Sequence, residues 1–364
     1  FFHGTAGSRL YEYDPAVIDV CATNSTPTDH YFKRWLPYID CDNSRLYLNS
    51  DGSSKQNIFT KDTLEEAGGI LNIYLSFVND LESWKNIEHI INDYSVIPYD
   101  WRLSINDILT KGKKNSLGYI DYSNVLSPAE TPYVISELER MVDSSANGKV
   151  VLVGHSNGGL IAKELTRRLE LEGKGDLIDK LILVATPQVG TPEAVATLLH
   201  GSDIGFSGII SDKKQTRLLS NNMPTAYNLL PSLEYFTTDM AAYIPIAMFD
   251  NSDLYSNETS SYGVSVQTPN ELSQYLLGLE LGSSGRSQPA YSDLMSPARA
   301  NDTLLSSSVS VHNNLDKWTP TKGEKVIEIA GWGEYTIAGL KYESETYCKS
   351  YHLEFILFKA IAVC

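Results

Sequence analysis

The chain has 364 residues, a formal net charge of −16 at pH 7 and 42% hydrophobic residues. This acidic balance excludes a nucleic-acid-binding role, because contacts with a phosphate backbone need clustered Lys and Arg. No apolar stretch reaches the roughly 20 residues that a membrane-spanning helix needs, so the composition predicts a globular protein that does not cross a bilayer.

The two ends of the chain, its sequons and its cysteines bear on the cellular compartment of the protein. The sequence opens on "FFHGTAGSRL" without Met, signal peptide or preceding strand, and we expect a chain truncated at both ends, with any targeting segment upstream. Sequons at Asn24, Asn257 and Asn301 are typical of a secreted protein. Cys21 and Cys41 bracket a loop that a disulfide would stabilise by about 3 kcal/mol. Two buried, reduced thiols are the alternative that the residues leave open.

Taken in chain order, short apolar runs alternate with helical patterns, which predicts βα units and a mostly parallel sheet. We predict strands at 94–101, 149–156, 179–187 and 325–333. We predict helices at 127–148 and 157–173, and another after the turn at 187–193. The first of these helices should have Ser127 at its N-cap, Pro128 at N1 and Gly148 at its C-cap.

A change in amino-acid composition along the chain predicts the domain organisation. Residues 200–310 are rich in Ser, Asn and Tyr and lack strong periodicity, which favours an insertion of short helices that acts as a lid or cap. A disordered decoration is the alternative. We therefore expect a core over 1–199, the insertion over 200–310 and a return to the core over 311–364.

The stretch "LVGHSNGG" at 152–159 is a G-x-S-x-G motif between a predicted strand and a predicted helix. Such a nucleophile elbow needs a buried strand, small neighbours at a tight turn and an immediate helix whose N-terminus faces developing negative charge. Ser156 is accordingly the candidate catalytic nucleophile, with Gly154 and Gly158 flanking the turn. A glycine-rich βα turn with an idle serine is the structural alternative.

Acyl transfer at a serine also needs backbone N–H donors for the tetrahedral oxyanion. One donor is expected from Asn157, directly after the serine, and the other from an earlier loop of HG type. "HGTAGS" at 3–8 is such a loop and makes Thr5 the second donor. His3 and His155 are expected to be structural rather than catalytic.

Several longer motifs resemble the lecithin:cholesterol acyltransferase and lysosomal phospholipase A2 family of α/β-hydrolases. They follow the family order along nearly the whole chain: "HGTAGSRL" (3–10), "YFKRWLPYIDCDNSRLYLN" (31–49), "PYDWR" (98–102), "GHSNGG" (154–159), "LVATPQVGTPEA" (183–194), "NLLPS" (228–232) and "VHNNLDKW…VIEIAGWGEYT" (311–336).

The resemblance implies an α/β-hydrolase fold, with a mostly parallel sheet flanked by helices and a large lid insertion. It implies a serine-dependent phospholipase, lipase or acyltransferase that works through an acyl-enzyme at Ser156, with an oxyanion hole at Thr5 and Asn157. Family members often have Asp or Leu at the position of Thr5, which leaves only its backbone amide as a predicted donor. The implied substrate is a lipid or phospholipid at a membrane or lipid-particle surface, and no cofactor or metal is expected.

The same resemblance bears on the cysteines and on location. Cys21 and Cys41 fall where lysosomal members carry a disulfide that closes a membrane-contacting loop, here near 15–50. A secreted or lumenal location, such as a lysosome or vacuole, follows. Residues 100–102 are expected to anchor a turn rather than to do chemistry.

The general base and its carboxylate do not carry over from the family. In this fold the acid and then His follow the nucleophile, but no Asp follows Asp316 and no His follows His352. His312 precedes the expected acid, and His352 with Glu334 is a weak pair, so we expect the acid and base beyond residue 364. A catalytically inactive module that binds lipid or protein is the alternative function, and a peptidase or small-molecule esterase is a weaker one.

Overall fold

The computed structural model describes residues 1–16, 20–21, 29–37, 40–67, 71–203, 211–333, 336–345 and 361–363. The strands are β1 Ser8–Tyr13, β2 Tyr31–Trp35, β3 Ile58–Thr63, β4 Glu66–Ala67, β5 Leu71–Asn72, β6 Lys113–Lys114, β7 Ile120–Asp121, β8 Val150–His155, β9 Ile178–Val184, β10 Ala247–Phe249, β11 Ser265–Val266, β12 Lys325–Ile329, β13 Leu340–Glu345 and β14 Ile361–Val363.

The α-helices lie between these strands. They are α1 Asp40–Arg45, α2 Leu75–Asn86, α3 Ile105–Thr110, α4 Tyr133–Ser144, α5 Asn157–Leu171, α6 Pro192–His200, α7 Lys213–Ser220, α8 Pro224–Asn228, α9 Asp239–Tyr243, α10 Ser256–Tyr262, α11 Pro269–Leu277 and α12 Asp302–Leu315.

A parallel sheet carries the candidate site. β8 pairs in parallel with β9, and β9 pairs in parallel with β12. The sheet continues beyond β8 through parallel bridges from Gly154 to Phe2 and from Phe2 to Ile97. Numbered in chain order as Phe2, Ile97, β8, β9 and β12, the spatial order is 2-1-3-4-5, in which the direction of winding reverses between Phe2 and β8.

The chain divides into two compact units. Unit 1 comprises Phe1–Gln188, Met223–Thr225 and Asn313–Gly333, and unit 2 comprises Val189–Asn222, Ala226–His312 and Glu334–Cys364. Unit 1 holds the parallel sheet and an antiparallel sheet of order β2-β1-β3-β7-β6. Unit 2 holds a mixed sheet of order β11-β10-β13-β14 and a core of its own that includes Val195, Leu199, Tyr227, Ala247, Tyr275 and Leu276.

The two faces of β8 are covered unequally. Val150 and Leu152 are buried, and α5 packs against β8, so this face lies in the core. Val151 on the other face is 44% exposed. A cavity of about 770 Å³ lies beside β8, lined among others by Phe77, Leu81, Val153, Ile182 and Ile329.

The helix predicted at 127–148 is wrong at its N-terminal end. The observed helix α4 begins at Tyr133, after Pro132. Proline disfavours the helical conformation of the residue before it, which separates Ser127 from the helix. Ser127 instead forms a turn in which its N–H and hydroxyl donate to the Glu130 carboxylate. Gly148, with φ of 68°, lies in the turn that leads to β8, and Ser145 is the C-cap.

Most of the other predicted elements are confirmed, and one strand is much shorter than predicted. β8, α5, β9, α6 and β12 confirm the strands and helices predicted between 149 and 200 and the late strand near 325. The strand predicted at 94–101 is reduced to a single bridge at Ile97. Its turn is anchored as expected, because Arg102 donates to Asp100 at 2.9 Å and to the Leu46 carbonyl at 2.8 Å while fully buried.

Cys21 and Cys41 form a disulfide.

Candidate functional site

The candidate site lies at the carboxyl ends of the strand segment at Phe2 and of β8. In open α/β sheets, ligands bind in the crevice outside the carboxyl ends of the strands, where the strand order reverses. Phe2 leads directly into His3, Gly4 and Thr5, and β8 leads directly into Ser156. The reversal in winding therefore lies between the two segments that the sequence predicts to form the site.

Ser156 occupies a strained turn between β8 and α5. Its φ of 53° and ψ of −128° lie outside the regions that non-glycine residues normally adopt. The turn is fixed on both sides, because the Ser156 N–H donates to the Val184 carbonyl at 2.9 Å and the Gly159 N–H donates to the Ser156 carbonyl at 2.9 Å. A strained serine between a buried strand and a helix is the geometry of a nucleophile elbow.

The glycines of the motif allow this turn to pack tightly. A Cβ at Gly158 would lie 2.3 Å from the Phe2 carbonyl oxygen and 2.4 Å from that of His3. A Cβ at Gly154 would lie 2.4 Å from the Gly159 Cα. Both contacts are with backbone, which cannot move aside as the end of a side chain could. The small neighbours thus bring the start of α5 against the segment that carries Thr5.

Among the backbone amides at the site that have no acceptor within the described part of the chain are the two that the sequence predicts as oxyanion donors. They belong to Thr5 and to Asn157, the first residue of α5. The amides of a helix's first turn have no partner inside the helix, and the partial positive charge of the N-terminus favours an anion there. A Cβ at Gly4 would lie 3.0 Å from the Ser156 Cβ, which places the Thr5 loop beside the serine. Both amides therefore retain an N–H that no described acceptor uses.

His3 is buried under the loop and already engaged. Its Nδ1 donates to the Gly4 carbonyl at 2.7 Å, so its Nε2 accepts from the Ser8 hydroxyl at 2.5 Å. The ring stacks on Tyr99 with centroids 4.1 Å apart. Burial lowers the pKa of His3 to about 3, so the ring is neutral near pH 7. These contacts give His3 a structural position, as the sequence predicts.

Tyr74 is a residue of the site that no pattern in the sequence predicts. The Gly4 N–H donates to its hydroxyl oxygen at 2.8 Å, and the same oxygen lies 2.8 Å from the His155 Nδ1. In the sequence, "LNIYLSF" at 71–77 reads only as an apolar segment with an aromatic residue. The two contacts join Tyr74 to residues 70 and 81 positions away in the chain, and no local sequence pattern reveals them.

The described residues do not supply a base to Ser156. Its side chain is partly exposed, and within the described part of the chain its hydroxyl makes no hydrogen bond. His312, one of the histidines considered as a base, lies in α12. Glu334 and His352 lie outside the described residues. The cavity along β8 is lined by neither Ser156 nor Thr5, so we do not assign it to the reacting group.

Comparison with known proteins identifies the family. Residues 61–275 match the family described as lecithin:cholesterol acyltransferase. The chain belongs to this family. The match includes Ser156 and Asn157 but begins after Thr5, and membership in the lecithin:cholesterol acyltransferase family implies the α/β-hydrolase fold.

Two further comparisons add little. A chain in "The crystal structure of Tle4-Tli4 complex" aligns with 20% identity and a TM-score of 0.28, which is too low to establish a common fold. The alignment covers 50% of this chain but only 36% of that chain's length. No curated protein matches.

The described residues include neither a candidate metal site nor a candidate membrane-spanning helix. No group of three or more His, Cys, Asp or Glu side chains among them could hold a metal ion. None of the helices described is long and apolar enough to cross a membrane.

Proposed function

We propose that this protein is a serine-dependent acyl-ester hydrolase or acyltransferase that acts on lipids through an acyl-enzyme at Ser156. The observation that carries the proposal is the strained serine just before α5, beside the amides of Thr5 and Asn157, for which the described residues offer no acceptor. A glycine-rich turn whose serine has no catalytic role does not need a strained serine beside two amide donors. Family membership adds a second, independent line of support.

In the proposed reaction each of these groups has one role. The Ser156 hydroxyl oxygen attacks the ester carbonyl carbon while a general base takes its proton. The carbonyl oxygen becomes an oxyanion, and the amides of Thr5 and Asn157 donate to it. Collapse of this intermediate breaks the bond to the alcohol, which leaves with the proton, and the acyl group remains on Ser156. Water then completes hydrolysis, or an alcohol completes acyl transfer.

A lipid surface as the place of action is part of the proposal. The loop closed by the Cys21–Cys41 disulfide is the proposed contact, and Val20 beside it is 54% exposed. Asn24 and most other residues of this loop before Asp29 lie outside the described part. We also propose that residues 200–310 act as a lid, a role compatible with their short helices.

A secreted or lumenal location is the corresponding proposal for compartment. Disulfides persist in oxidising environments, which supports it. Of the described sequons, Asn257 is exposed, whereas the Asn301 side chain donates to the Asn222 side chain at 3.0 Å and caps α12. Asn257 is therefore the better glycan acceptor of these two.

An inactive hydrolase fold that binds lipid or protein is the second candidate function. The observation that favours it is the Ser156 hydroxyl, which has no hydrogen-bond partner within the described residues. The two candidates differ in one measurable quantity, turnover.

The test compares hydrolysis of a dispersed phospholipid with that of a short soluble ester by the full product of the gene. Wild type should release fatty acid, with a rate that rises steeply once the phospholipid forms an interface, as a lid-covered site requires. Ser156→Ala should lower turnover by at least about 10⁴-fold, since it removes the nucleophile. Ser127→Ala, in the exposed turn before α4, is the matched control and should act as wild type.

Three outcomes separate the alternatives. Equal turnover by wild type and Ser156→Ala would contradict the proposal. Binding of phospholipid vesicles without turnover would favour the inactive module. Turnover of the soluble ester alone would favour a small-molecule esterase.

A further inference from the structure

We propose that Tyr74 is a positioning residue that fixes the oxyanion loop against the nucleophile elbow through its hydroxyl group. This inference rests on the proposed function, because it assigns Tyr74 a part in the acylation of Ser156. Tyr74 lies far from the G-x-S-x-G motif in the sequence. Its contribution to the proposed function is to hold the Gly4–Thr5 segment at a set distance from Ser156.

The direction of each hydrogen bond follows from the groups involved. The backbone N–H of Gly4 can only donate, so the Tyr74 oxygen accepts at 2.8 Å. The Tyr74 hydroxyl hydrogen is then available for the His155 Nδ1, also at 2.8 Å. His155 therefore carries its proton on Nε2. One hydroxyl thus joins the amide before Thr5 to the residue before Ser156.

The protonation states needed for this bridge hold near neutral pH. Burial lowers the pKa of His155, so its Nδ1 remains an acceptor. Burial raises the pKa of the Tyr74 phenol, so its hydroxyl remains a donor. Both bonds of the bridge are accordingly formed under the conditions in which an esterase would be assayed.

Packing of the ring does not account for the position of the hydroxyl. Tyr74 is 9% exposed, and its ring packs edge-on against Phe1 with centroids 5.3 Å apart and against His155 with centroids 5.7 Å apart. A phenylalanine would keep these contacts. It would lose the hydroxyl oxygen that accepts from the Gly4 N–H, and the described residues offer that N–H no other acceptor.

The remaining attachments of the loop show why this contact matters for Thr5. The Trp35 indole N–H donates to the Ala6 carbonyl at 2.8 Å, which holds the loop on the far side of Thr5. On the near side, next to Ser156, Tyr74 accepts from the Gly4 N–H at 2.8 Å and the His3 Nδ1 donates to the Gly4 carbonyl at 2.7 Å. Since a misplacement of about 1 Å can cost on the order of 10²-fold in rate, loss of one anchor should be visible in acylation.

The experiment measures the rate at which a fluorophosphonate modifies Ser156 in the full gene product of wild type and Tyr74→Phe. Tyr11→Phe is the matched control, because it also removes a hydroxyl that donates to a side chain, Asp62, at 2.9 Å, but away from the site. We expect Tyr74→Phe to react 10 to 100-fold more slowly than wild type and Tyr11→Phe to react within about twofold of it. In ester turnover the loss should fall on kcat rather than KM, because the oxyanion exists only after attack.

Two further readouts make the result decisive. Thermal unfolding should shift to a similar extent in the two variants, which separates positioning from loss of fold. In wild type, the ¹⁵N NMR signal of the His155 Nδ1 should have the shift of an unprotonated nitrogen that accepts a hydrogen bond, and it should move downfield in Tyr74→Phe.

The outcomes distinguish this inference from the proposed function. If wild type is modified at Ser156 and Tyr74→Phe reacts as fast as Tyr11→Phe, the positioning role is wrong and the proposed function stands. An unchanged His155 signal in Tyr74→Phe would also overturn the inference, because the bridge would not exist. If wild type itself is not modified, the proposed function fails and the role of Tyr74 in acylation fails with it.

Discussion

At Thr5 the atom that serves the proposed chemistry is the amide hydrogen, not the side chain. The Thr5 hydroxyl is buried and has no hydrogen-bond partner among the described residues. Thr5→Val keeps the amide and replaces the hydroxyl by a methyl group of similar shape. We expect esterase activity within about threefold of wild type, and stability unchanged or raised by about 1 kcal/mol, because an unsatisfied buried group is removed. Assays of kcat and of urea unfolding check both; a drop of tenfold or more would mean that the hydroxyl itself donates.

Gly158 is constrained by backbone on two sides. Gly158→Ala should destabilise the fold by about 3 kcal/mol or more, because the new methyl group would overlap the Phe2 and His3 carbonyl oxygens. Gly331→Ala is the control, since a Cβ there meets nothing within 4 Å. Equilibrium unfolding in urea measures both, and equal stabilities for the two variants would contradict the close packing described for the elbow.

At the scale of elements, the sequence predicts what short-range patterns determine. The strand β8, the turn at Ser156 and helix α5 follow one another without a gap, and apolar periodicity with two glycines is enough to find them. The start of α4 is set by Pro132, a local signal outweighed in the prediction by the N-cap preference of Ser127. Tyr74 could not be found, because its role depends on a contact with Gly4 across 70 positions of the chain.

The disulfide between Cys21 and Cys41 is an element-scale feature that the residues left open and the structure decides. Cys21→Ser with Cys41→Ser should lower the free energy of unfolding by about 3 kcal/mol, the loop-closure contribution expected for their separation of 20 residues. Reductant should destabilise wild type by a similar amount and leave the double variant unchanged. Equal sensitivity of both proteins to reductant would mean that the bridge does not stabilise this loop.

At the scale of the whole molecule, buried histidines make stability depend on pH. His200 in unit 2 is bonded on both ring nitrogens: its Nδ1 donates to the Leu294 carbonyl at 2.8 Å, and its Nε2 accepts from the Tyr342 hydroxyl at 2.7 Å. Burial lowers the pKa of His200 to about 4, from 6.5 in the unfolded chain. Between these values the unfolded state binds more protons, so stability falls as pH falls.

This linkage gives a numerical expectation. Between pH 6.5 and pH 4, His200 should remove up to about 1.4 kcal/mol of stability for each unit that the pH falls. His3, whose pKa burial lowers to about 3, adds to the same slope. In His200→Gln the dependence of unfolding free energy on pH should be shallower by the His200 contribution. Parallel curves for variant and wild type in urea titrations at several pH values would contradict the assignment.

Covalent modification tests whether Ser156 is an activated nucleophile. The full gene product is treated with a fluorophosphonate, digested, and analysed by peptide mass spectrometry. We expect one label per molecule, on the peptide that contains Ser156, and none on Ser156→Ala. A label on another residue, or an unmodified Ser156 in folded protein, would contradict this expectation.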